Sequence, residues 1–391
     1  MKKLIKATLV LSLTVMIFAQ YSCQEDVFNP LGVNQDLPTF NMDLFEQNIN
    51  DYVNFNNDEP IGWGYVISKD GLLARWGAFG DARTSADNQI DFSLNKEINV
   101  ASITKFYTAI AAMQLIDANN LSIESKIEPW LPQSWQRGPG VNNLSFKDLL
   151  KHESGLNSIN TAFDSTLGYS GLESCIADGV VNSKERTYLN VNFALFRVLI
   201  PSLWENLQGA PPNINIESSA STQIAYLWYM QEHVFGPIGL SYVNCSPEDR
   251  NNSTLYYNVN DDQNNANGVY YGSWSNKSGG GGYFMTPLEM AAVNAYFNNT
   301  EILLSEELKD IMKEHRLGMD LASGMEDHGK YYAKGGSISN GINQGIRGHV
   351  AMFPINKVDI TIIMNTQGVT LDANNNSLSG MVYRAYNNAW E

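Results

Sequence analysis

Positive charge, histidine and cysteine are all scarce in this chain of 391 residues. It carries 25 lysine and arginine residues against 41 aspartate and glutamate residues, which gives a formal net charge of −16. This charge opposes binding to a nucleic acid backbone. No basic cluster beyond the N-terminus offers a patch for nucleic acid or for a membrane surface. We therefore expect no nucleic acid among the partners of this protein.

The five histidines do not form a common zinc motif. None stands in a His-Glu-x-x-His sequence and no pair has zinc-ligand spacing, so we predict no metal and no cofactor. The Gly-x-Ser-x-Gly sequence of the α/β-hydrolases is missing as well. The glycine run at 279–282 lacks the Gly-Lys-Ser/Thr ending of a phosphate loop. We interpret His349, on a strand near the predicted site, as a structural histidine.

Long apolar runs are also lacking, and the one near the N-terminus is short. Three lysines within the first six residues precede a mostly apolar stretch of 13 residues over 7–19. That stretch is too short to span a bilayer and is typical of an export signal. Ser22 and Cys23 then resemble a bacterial lipoprotein cleavage site. We predict a signal peptide over 1–22 and a lipid on Cys23 as the only membrane attachment of a periplasmic or surface protein; the alternative is an ordinary secretory signal.

Besides Cys23, the chain has two cysteines, Cys175 and Cys245. An oxidising compartment would allow them to form one disulfide. Two separate thiols are the alternative, and the sequence leaves both open.

Strand patterns stand near both ends of the chain. Residues 62–67 and 72–79 flank an Asp-Gly turn, which predicts a β-hairpin. Residues 348–354 and 358–364 predict a second hairpin. With helical and loop-rich sequence between them, these hairpins predict an α/β (α+β) fold with one antiparallel sheet built from both ends of the chain and flanked by helices.

The remaining segments complete the predicted organisation. A helical subdomain is expected as an insertion within 103–330, inside a hydrolase domain that covers 58–391. Residues 23–57 form either a tether or an N-terminal cap helix. The Asn-rich stretch 246–277 is predicted to be a long surface loop at the rim of a cleft. Residues 377–390 are predicted to be a closing helix.

A serine and a lysine at the start of a predicted helix supply the first chemical signal. Ser102 and Lys105 are three residues apart, so their side chains lie on one helix face. A buried lysine has a lowered pKa and can take the serine proton. The helix start adds free N–H groups where an oxyanion would form. Ser93 and Lys96 have the same spacing but no helical pattern after them, so we assign them no catalytic role.

Two later segments, together with the first, form a set of three motifs in a fixed order along the chain. Tyr188-Leu189-Asn190 and Lys334-Gly335-Gly336-Ser337 follow Ser102-Ile103-Thr104-Lys105. In this order the chain resembles the serine β-lactamase/penicillin-binding-protein superfamily, most closely the class C β-lactamase-like serine hydrolases. Three further segments are similar to motifs of that family: 149–156, 235–240 and 279–290. The resemblance runs from about residue 61 to residue 367.

The resemblance implies an α/β sandwich with an all-helical subdomain and an active site in the cleft between them. It implies Ser102 as nucleophile, with Lys105 and Tyr188 as the groups that carry its proton. It also implies that Asn190 hydrogen-bonds Lys105 and a substrate amide, and that Lys334 holds the site electropositive and binds a substrate carboxylate.

The small residues after Lys334 let the backbone approach the substrate closely at Gly336. The resemblance implies that the Ser337 N–H, together with the N–H of Ser102, forms the oxyanion hole. Gly335 departs from the family pattern because Thr or Ser usually supplies a hydroxyl to the substrate carboxylate there.

These residues predict an exported serine hydrolase that cleaves an ester or amide bond in a small-molecule or peptide-like substrate. A β-lactamase or D-Ala-D-Ala carboxypeptidase of the penicillin-binding-protein type is the first alternative, and Gly335 weighs against it. A catalytically inactive binding module of the same fold is the second alternative.

Overall fold

The computed structural model describes residues 38–55, 59–157, 168–251, 253–321, 326–372 and 377–391. The predicted signal peptide and Cys23 lie outside the described residues. A compact unit begins at Phe40 and continues to Glu391. No helix in the described part of the chain is long and apolar enough to cross a bilayer.

Ten strands occur among the described residues: β1 (Gly62–Lys69), β2 (Leu72–Arg83), β3 (Ile90–Asp91), β4 (Ile98–Asn99), β5 (Tyr257–Asn258), β6 (Phe284–Met285), β7 (Tyr332–Ser339), β8 (Gly345–Phe353), β9 (Val358–Met364) and β10 (Thr366–Gln367). Eight of them form one sheet in the order β10-β5-β8-β9-β1-β2-β3, with β7 paired to β8. The N-terminal strand β1 pairs antiparallel with the C-terminal strand β9, from Trp63 opposite Met364 to Lys69 opposite Val358. The predicted sheet built from both ends of the chain is therefore confirmed, and its strands pair antiparallel except for the short β10–β5 pair, which is parallel.

Ten α-helices occur in the described part of the chain: α1 (Met42–Val53), α2 (Thr104–Ala118), α3 (Phe146–Leu150), α4 (Tyr169–Asp178), α5 (Asn190–Ala194), α6 (Phe196–Glu205), α7 (Ser219–Met230), α8 (Pro287–Asn299), α9 (Glu306–Glu314) and α10 (Leu378–Asn387). Helices α1 and α10 cover one face of the sheet, and α8 covers the other. Alternation along the strands explains the two cores, since Ile362 faces α1 and α10 while Ile363 faces the opposite core. The mixed α/β fold class, with helices flanking a sheet, is confirmed.

Helix α2 is the centre of the larger core. Its buried residues occupy every side of the helix, from Thr104 to Ile116. A helix that is apolar all round has to be enclosed by other elements. This enclosure is what removes Lys105, on its first turn, from solvent.

The N-terminal helix α1 belongs to the compact unit. Asn41 caps it by accepting a hydrogen bond from the Leu44 N–H. The Phe45 ring is fully buried and lies 6.3 Å from the ring of Phe353 and 5.9 Å from that of Tyr386. The start at residue 58 suggested by the sequence is therefore too late, since the apolar face of α1 packs onto α10.

The stretch 246–277 is not simply a surface loop, which corrects the prediction. Its Tyr256 and Tyr257 are fully buried, and Tyr257 joins the sheet in β5. The Tyr256 hydroxyl accepts a hydrogen bond from the Asn99 N–H (3.0 Å). Trp274, 4% exposed, also points inward. The prediction relied on the high Asn and Asp content of the segment, whereas its buried aromatic residues fix its position in the structure.

Cys175 and Cys245 are both buried, and the structure does not join them in a disulfide. Of the two alternatives left by the sequence, separate thiols are the one that the structure contains. Burial raises the pKa of the Cys245 thiol, so this side chain behaves as a small apolar core residue.

The packing of α1 generates a prediction about stability. Replacing Phe45 with Ala should lower the free energy of unfolding by ~3 kcal/mol, because it leaves a cavity between α1 and the Phe353 and Tyr386 rings. Gln47→Ala, on the exposed side of the same helix, is the matched control and should change it by less than ~0.5 kcal/mol. Urea unfolding measures both. Equal effects of the two substitutions would show that α1 is a loosely held tether.

Candidate active site

The candidate nucleophile lies on a short turn that leads into α2. Residues Ala101–Ile103 form a 3₁₀ turn directly before this helix. Ala101 has a φ of +49°, a left-handed conformation that is costly for a residue with a Cβ. The Asn99 side chain holds the turn by accepting a hydrogen bond from the Ala101 N–H (2.8 Å). The turn leaves Ser102 partly exposed at the edge of two cavities.

Lys105 is fully buried one helical turn after Ser102. Its Nζ donates hydrogen bonds to Ser102 Oγ (3.1 Å), to Asn190 Oδ1 (2.9 Å) and to the Gly280 carbonyl. Burial is the main cause that lowers the pKa of Lys105, and the nearby Lys334 charge lowers it further against an opposing effect of Tyr188. A proton is therefore released from this amine more easily than from a lysine in water.

The glycine run at 279–282 brings its own backbone against Lys105. A Cβ on Gly279 would lie 2.5 Å from the Phe193 carbonyl oxygen, and the φ of Gly279 is +92°. Only glycine permits this approach. The sequence analysis noted the run as a family segment but did not identify the Gly280 carbonyl as a partner of Lys105.

Tyr188 supplies the second contact to the candidate nucleophile. Its hydroxyl donates to Ser102 Oγ at 2.7 Å. Lys105 Nζ lies 5.0 Å and Lys334 Nζ 5.3 Å from the centre of its ring. Burial by itself raises the pKa of Tyr188, but the two ammonium groups outweigh it and hold the pKa below the ordinary value of a tyrosine. The phenolate is therefore more accessible here than in water.

His152 packs behind Tyr188 and was missed as a site residue, although it lies in one of the recognised family segments. The two ring centres are 4.4 Å apart. His152 Nδ1 lies 3.3 Å from the Leu189 backbone N–H. Burial, with the charges of Lys105 and Lys334, lowers the pKa of His152 to about 2. The imidazole is thus neutral, and it fixes the position of the phenol without adding charge.

Lys334 on β7 has a partner that sequence reasoning did not find. Its Nζ lies 2.6 Å from Asp320 Oδ1, and the Gly335 N–H donates to Asp320 Oδ2 at 2.7 Å. Burial alone would lower the pKa of Lys334, but the Asp320 carboxylate outweighs it and raises that pKa. Burial likewise raises the pKa of Asp320, and Lys334 outweighs it and lowers it. Both members of the pair are therefore charged near neutral pH.

Gly336 and Ser337 lie on β7 beside the nucleophile turn. A Cβ on Gly336 would stand 2.5 Å from the Val100 carbonyl oxygen and 3.2 Å from Ala101 Cβ. A glycine is thus required for β7 to reach the turn. The Ser337 side chain is exposed and accepts a hydrogen bond from Gln367 Nε2 (2.9 Å). The oxyanion role of the Ser337 N–H stays a prediction.

The structure brings these residues together between two adjoining cavities. The first measures about 400 Å³ and the second about 230 Å³. Ser102, Tyr188 and Ser337 line both. Asn190 lines the second, and Lys334 the first. An acyl group and a leaving group can thus extend in different directions from Ser102.

His349 contributes to the wall of the larger cavity. It is 1% exposed, and its ring lies 5.4 Å from that of Tyr383. Burial lowers the pKa of His349 to about 4, so this ring is neutral near pH 7. The structural interpretation of His349 agrees with this burial, although the residue also borders the cavity.

Comparison with protein families gives one match, to the family described as Beta-lactamase, over residues 62–378. No curated protein matches the chain. Among solved structures, the octameric penicillin-binding protein homologue from Pyrococcus abyssi has 18% identity and a TM-score of 0.65, with 87% of this chain and 75% of that chain covered.

Two more solved structures are similar. The D-stereospecific amidohydrolase from Streptomyces sp. has 18% identity and a TM-score of 0.60, with 88% of this chain and 98% of that chain covered. EstCE1, a hydrolase with promiscuous acyltransferase activity, has 13% identity and a TM-score of 0.64, with 88% and 98% covered. At such identities, the likeness to these structures shows the fold alone.

The charges around Tyr188 generate a prediction about its ionisation. The difference between ultraviolet titrations of the native protein and of Tyr188→Phe should reveal a phenol with a pKa below 10.0. Lys334→Gln should raise this pKa, because it removes one of the two cations, while Lys126→Gln, at an exposed position, should leave it unchanged. Burial raises the pKa of other tyrosines, among them Tyr107 and Tyr226. If the pKa obtained from the difference between the two titrations is at or above the ordinary tyrosine value, this electrostatic description is contradicted.

Proposed function

The chain belongs to the beta-lactamase family, and we propose that it is a serine hydrolase that cleaves an ester or amide bond through an acyl-enzyme on Ser102. One observation carries the proposal. Ser102 Oγ lies 2.7 Å from the Tyr188 hydroxyl and 3.1 Å from Lys105 Nζ, so two groups of lowered pKa contact a single hydroxyl. A weak nucleophile needs such a neighbouring base.

The contacts of Lys105 suggest how the proton leaves Ser102. Two acceptors, Asn190 Oδ1 and the Gly280 carbonyl, engage N–H groups of the amine. A neutral amine has only two N–H groups, so its lone pair would then be directed to Ser102. Lys105, assisted by Tyr188, takes the Ser102 proton as Oγ attacks the substrate carbonyl carbon.

The second half of the reaction uses Tyr188. The negative charge on the former carbonyl oxygen is stabilised by the N–H groups of Ser102 and Ser337. Tyr188 gives a proton to the leaving group as the bond to it breaks, and the acyl group stays on Ser102. A water molecule then attacks the acyl-enzyme and gives a proton to the Tyr188 phenolate, and Lys105 returns its proton to Ser102 Oγ as the bond to the acyl group breaks.

The substrate class is the second part of the proposal. We propose an ester or amide of a small-molecule or peptide-like compound. Two of the similar structures, an amidohydrolase and a hydrolase with promiscuous acyltransferase activity, support this class. A β-lactamase or D-Ala-D-Ala carboxypeptidase is less well supported, because Gly335 supplies no hydroxyl and Asp320 already pairs with Lys334. The joint contacts of Ser102, Lys105 and Tyr188 weigh against an inactive binding module.

We also propose that the protein is exported and held in the cell envelope by a lipid on Cys23. The support is the N-terminal sequence alone: three lysines, a short apolar stretch and Ser22 before the cysteine. In this arrangement the acidic catalytic domain contacts the membrane only through the anchor. Several acyl chains on one residue give a long-lived attachment, whereas a single chain gives a marginal one.

The proposed nucleophile generates a prediction with an internal control. Ser102→Ala should reduce the hydrolysis of p-nitrophenyl esters by at least ~1,000-fold without changing the thermal unfolding temperature. Ser93→Ala should leave the rate unchanged, because Ser93 and Lys96 form a turn in which the Lys96 N–H donates to the Ser93 carbonyl. Steady-state kinetics measures both variants. An unchanged rate in Ser102→Ala would remove Ser102 as the nucleophile.

The same assay with nitrocefin separates the alternatives. Turnover of the ester without turnover of nitrocefin is the expected result. Efficient nitrocefin hydrolysis that depends on Ser102 would favour the β-lactamase alternative. No turnover of either compound, together with no labelling by a fluorophosphonate, would favour a binding module.

The proposed anchor generates a separate prediction. In a bacterial host that processes lipoproteins, the native protein should incorporate labelled palmitate, and Cys23→Ser should lose the label, because the thiol is the acylated atom. Ser22→Ala keeps a small residue before the cysteine and should retain the label. Gel autoradiography measures the incorporation. Absence of label from the native protein would leave an ordinary secretory signal as the interpretation.

A further inference from the structure

The positive charge of Lys334 is offset by a carboxylate of the protein itself. The Lys334 side chain is 4% exposed, and its ammonium group contacts Asp320 Oδ1 at 2.6 Å. The Asp320 side chain is 38% exposed and lines the larger cavity. A substrate that approaches Lys334 from this cavity therefore meets the carboxylate of Asp320 beside the ammonium group.

The position of Gly335 strengthens this arrangement. Its N–H donates to Asp320 Oδ2 at 2.7 Å. A Cβ built on Gly335 would stand 3.3 Å from the same oxygen. The carboxylate thus lies against the place where a side chain at residue 335 would begin. Gly335, which has no side chain, thus leaves room in this wall of the cavity for the Asp320 carboxylate.

Two further titratable or charged groups of this wall are His349 and Arg347. His349, buried beside Gly335, is neutral near pH 7. Arg347 lines the same cavity and donates to the Val369 carbonyl (3.0 Å). The charge of Lys334 is thus offset by Asp320, its ion-pair partner in this wall.

We propose that Asp320 is a specificity-determining residue, which rejects a carboxylate held close to the scissile bond and accepts an uncharged hydrogen-bond donor there. The inference rests on the proposed hydrolysis through Ser102. A substrate carboxylate that reached Lys334 would be placed next to a second carboxylate, and like charges at contact are strongly disfavoured. An amide N–H or a hydroxyl can instead donate to the free lone pairs of the Asp320 oxygens. The preferred substrates are therefore neutral esters or amides with such a donor next to the reacting carbonyl group.

A pair of matched substrates tests this inference. The two compounds are aryl acetates with either a carboxylate or a carboxamide at the meta position of the leaving group. In the native protein, kcat/KM corrected for the rate with hydroxide should favour the carboxamide by about 10-fold or more. Asp320→Asn should raise the carboxylate-to-carboxamide ratio of kcat/KM by about 10-fold, mainly through KM, because the repulsion acts on the bound substrate.

A control removes the same charge elsewhere. Asp310→Asn alters an exposed residue of α9 and should leave the ratio within about 2-fold of the native value. Comparison of this ratio between variants cancels the difference in intrinsic reactivity of the two esters. An unchanged ratio in Asp320→Asn, or an equal response in Asp310→Asn, would overturn the inference. If Asp320→Asn does not fold, the native protein still decides, because a native preference for the carboxylate would also overturn it.

A binding measurement separates this inference from the proposed function. The two acetates are titrated calorimetrically into Ser102→Ala, with and without Asp320→Asn. Tighter binding of the carboxamide to Ser102→Ala, and loss of this preference when Asp320→Asn is added, would support the inference. This holds even if Ser102→Ala still hydrolyses esters, a result that would defeat only the proposed nucleophile. Equal affinities, or no binding of either compound, would overturn the inference.

Discussion

The removal of one amine from water is the constraint on which the site depends. Lys105 lies on the first turn of α2, a helix that the fold encloses on every side. Three oxygen atoms, from Ser102, Asn190 and Gly280, surround its Nζ and satisfy the polar group without restoring water. Desolvation disfavours the charged form, so the amine can accept a proton in a place where an exposed lysine could not.

The two lysines of the site show how the surroundings of one chemical group set its role. Lys105 has only neutral acceptors, and burial lowers its pKa. Lys334 is almost as buried, yet the Asp320 carboxylate raises its pKa and keeps it positive. Lys334 and the protonated form of Lys105 flank Tyr188, and both lower its pKa. One lysine is thus suited to move a proton and the other to supply a constant field.

Local sequence patterns were enough to predict the two hairpins of the sheet, and the family resemblance identified the residues nearest to Ser102. The Asp-Gly turn and alternating residues predicted the β1–β2 hairpin, because these signals act over a few neighbours. Ser102, Lys105, Tyr188 and Asn190 came from ordered motifs, and the structure brings all four side chains together.

Contacts between remote or atypical segments could not be predicted in this way. Asp320 pairs with Lys334 from outside any motif, and only the folded chain places it there. The stretch 246–277 reads as a polar loop, yet burial of Tyr256 and Trp274 decides its position. Helices α1 and α10, from the two ends of the domain, pack through their apolar faces. A short sequence pattern can identify each apolar face but not which remote face it contacts.

Peptide mapping of the covalent intermediate tests the central claim most directly. The native protein is treated with a slowly hydrolysed activated ester near neutral pH, quenched in acid, digested and analysed by mass spectrometry. If the buried Lys105 amine activates Ser102, the native protein should carry one acyl group, on Ser102. The Lys105→Met variant should carry none. An acyl group on another residue, or full acylation of Ser102 without the Lys105 amine, would contradict this mechanism.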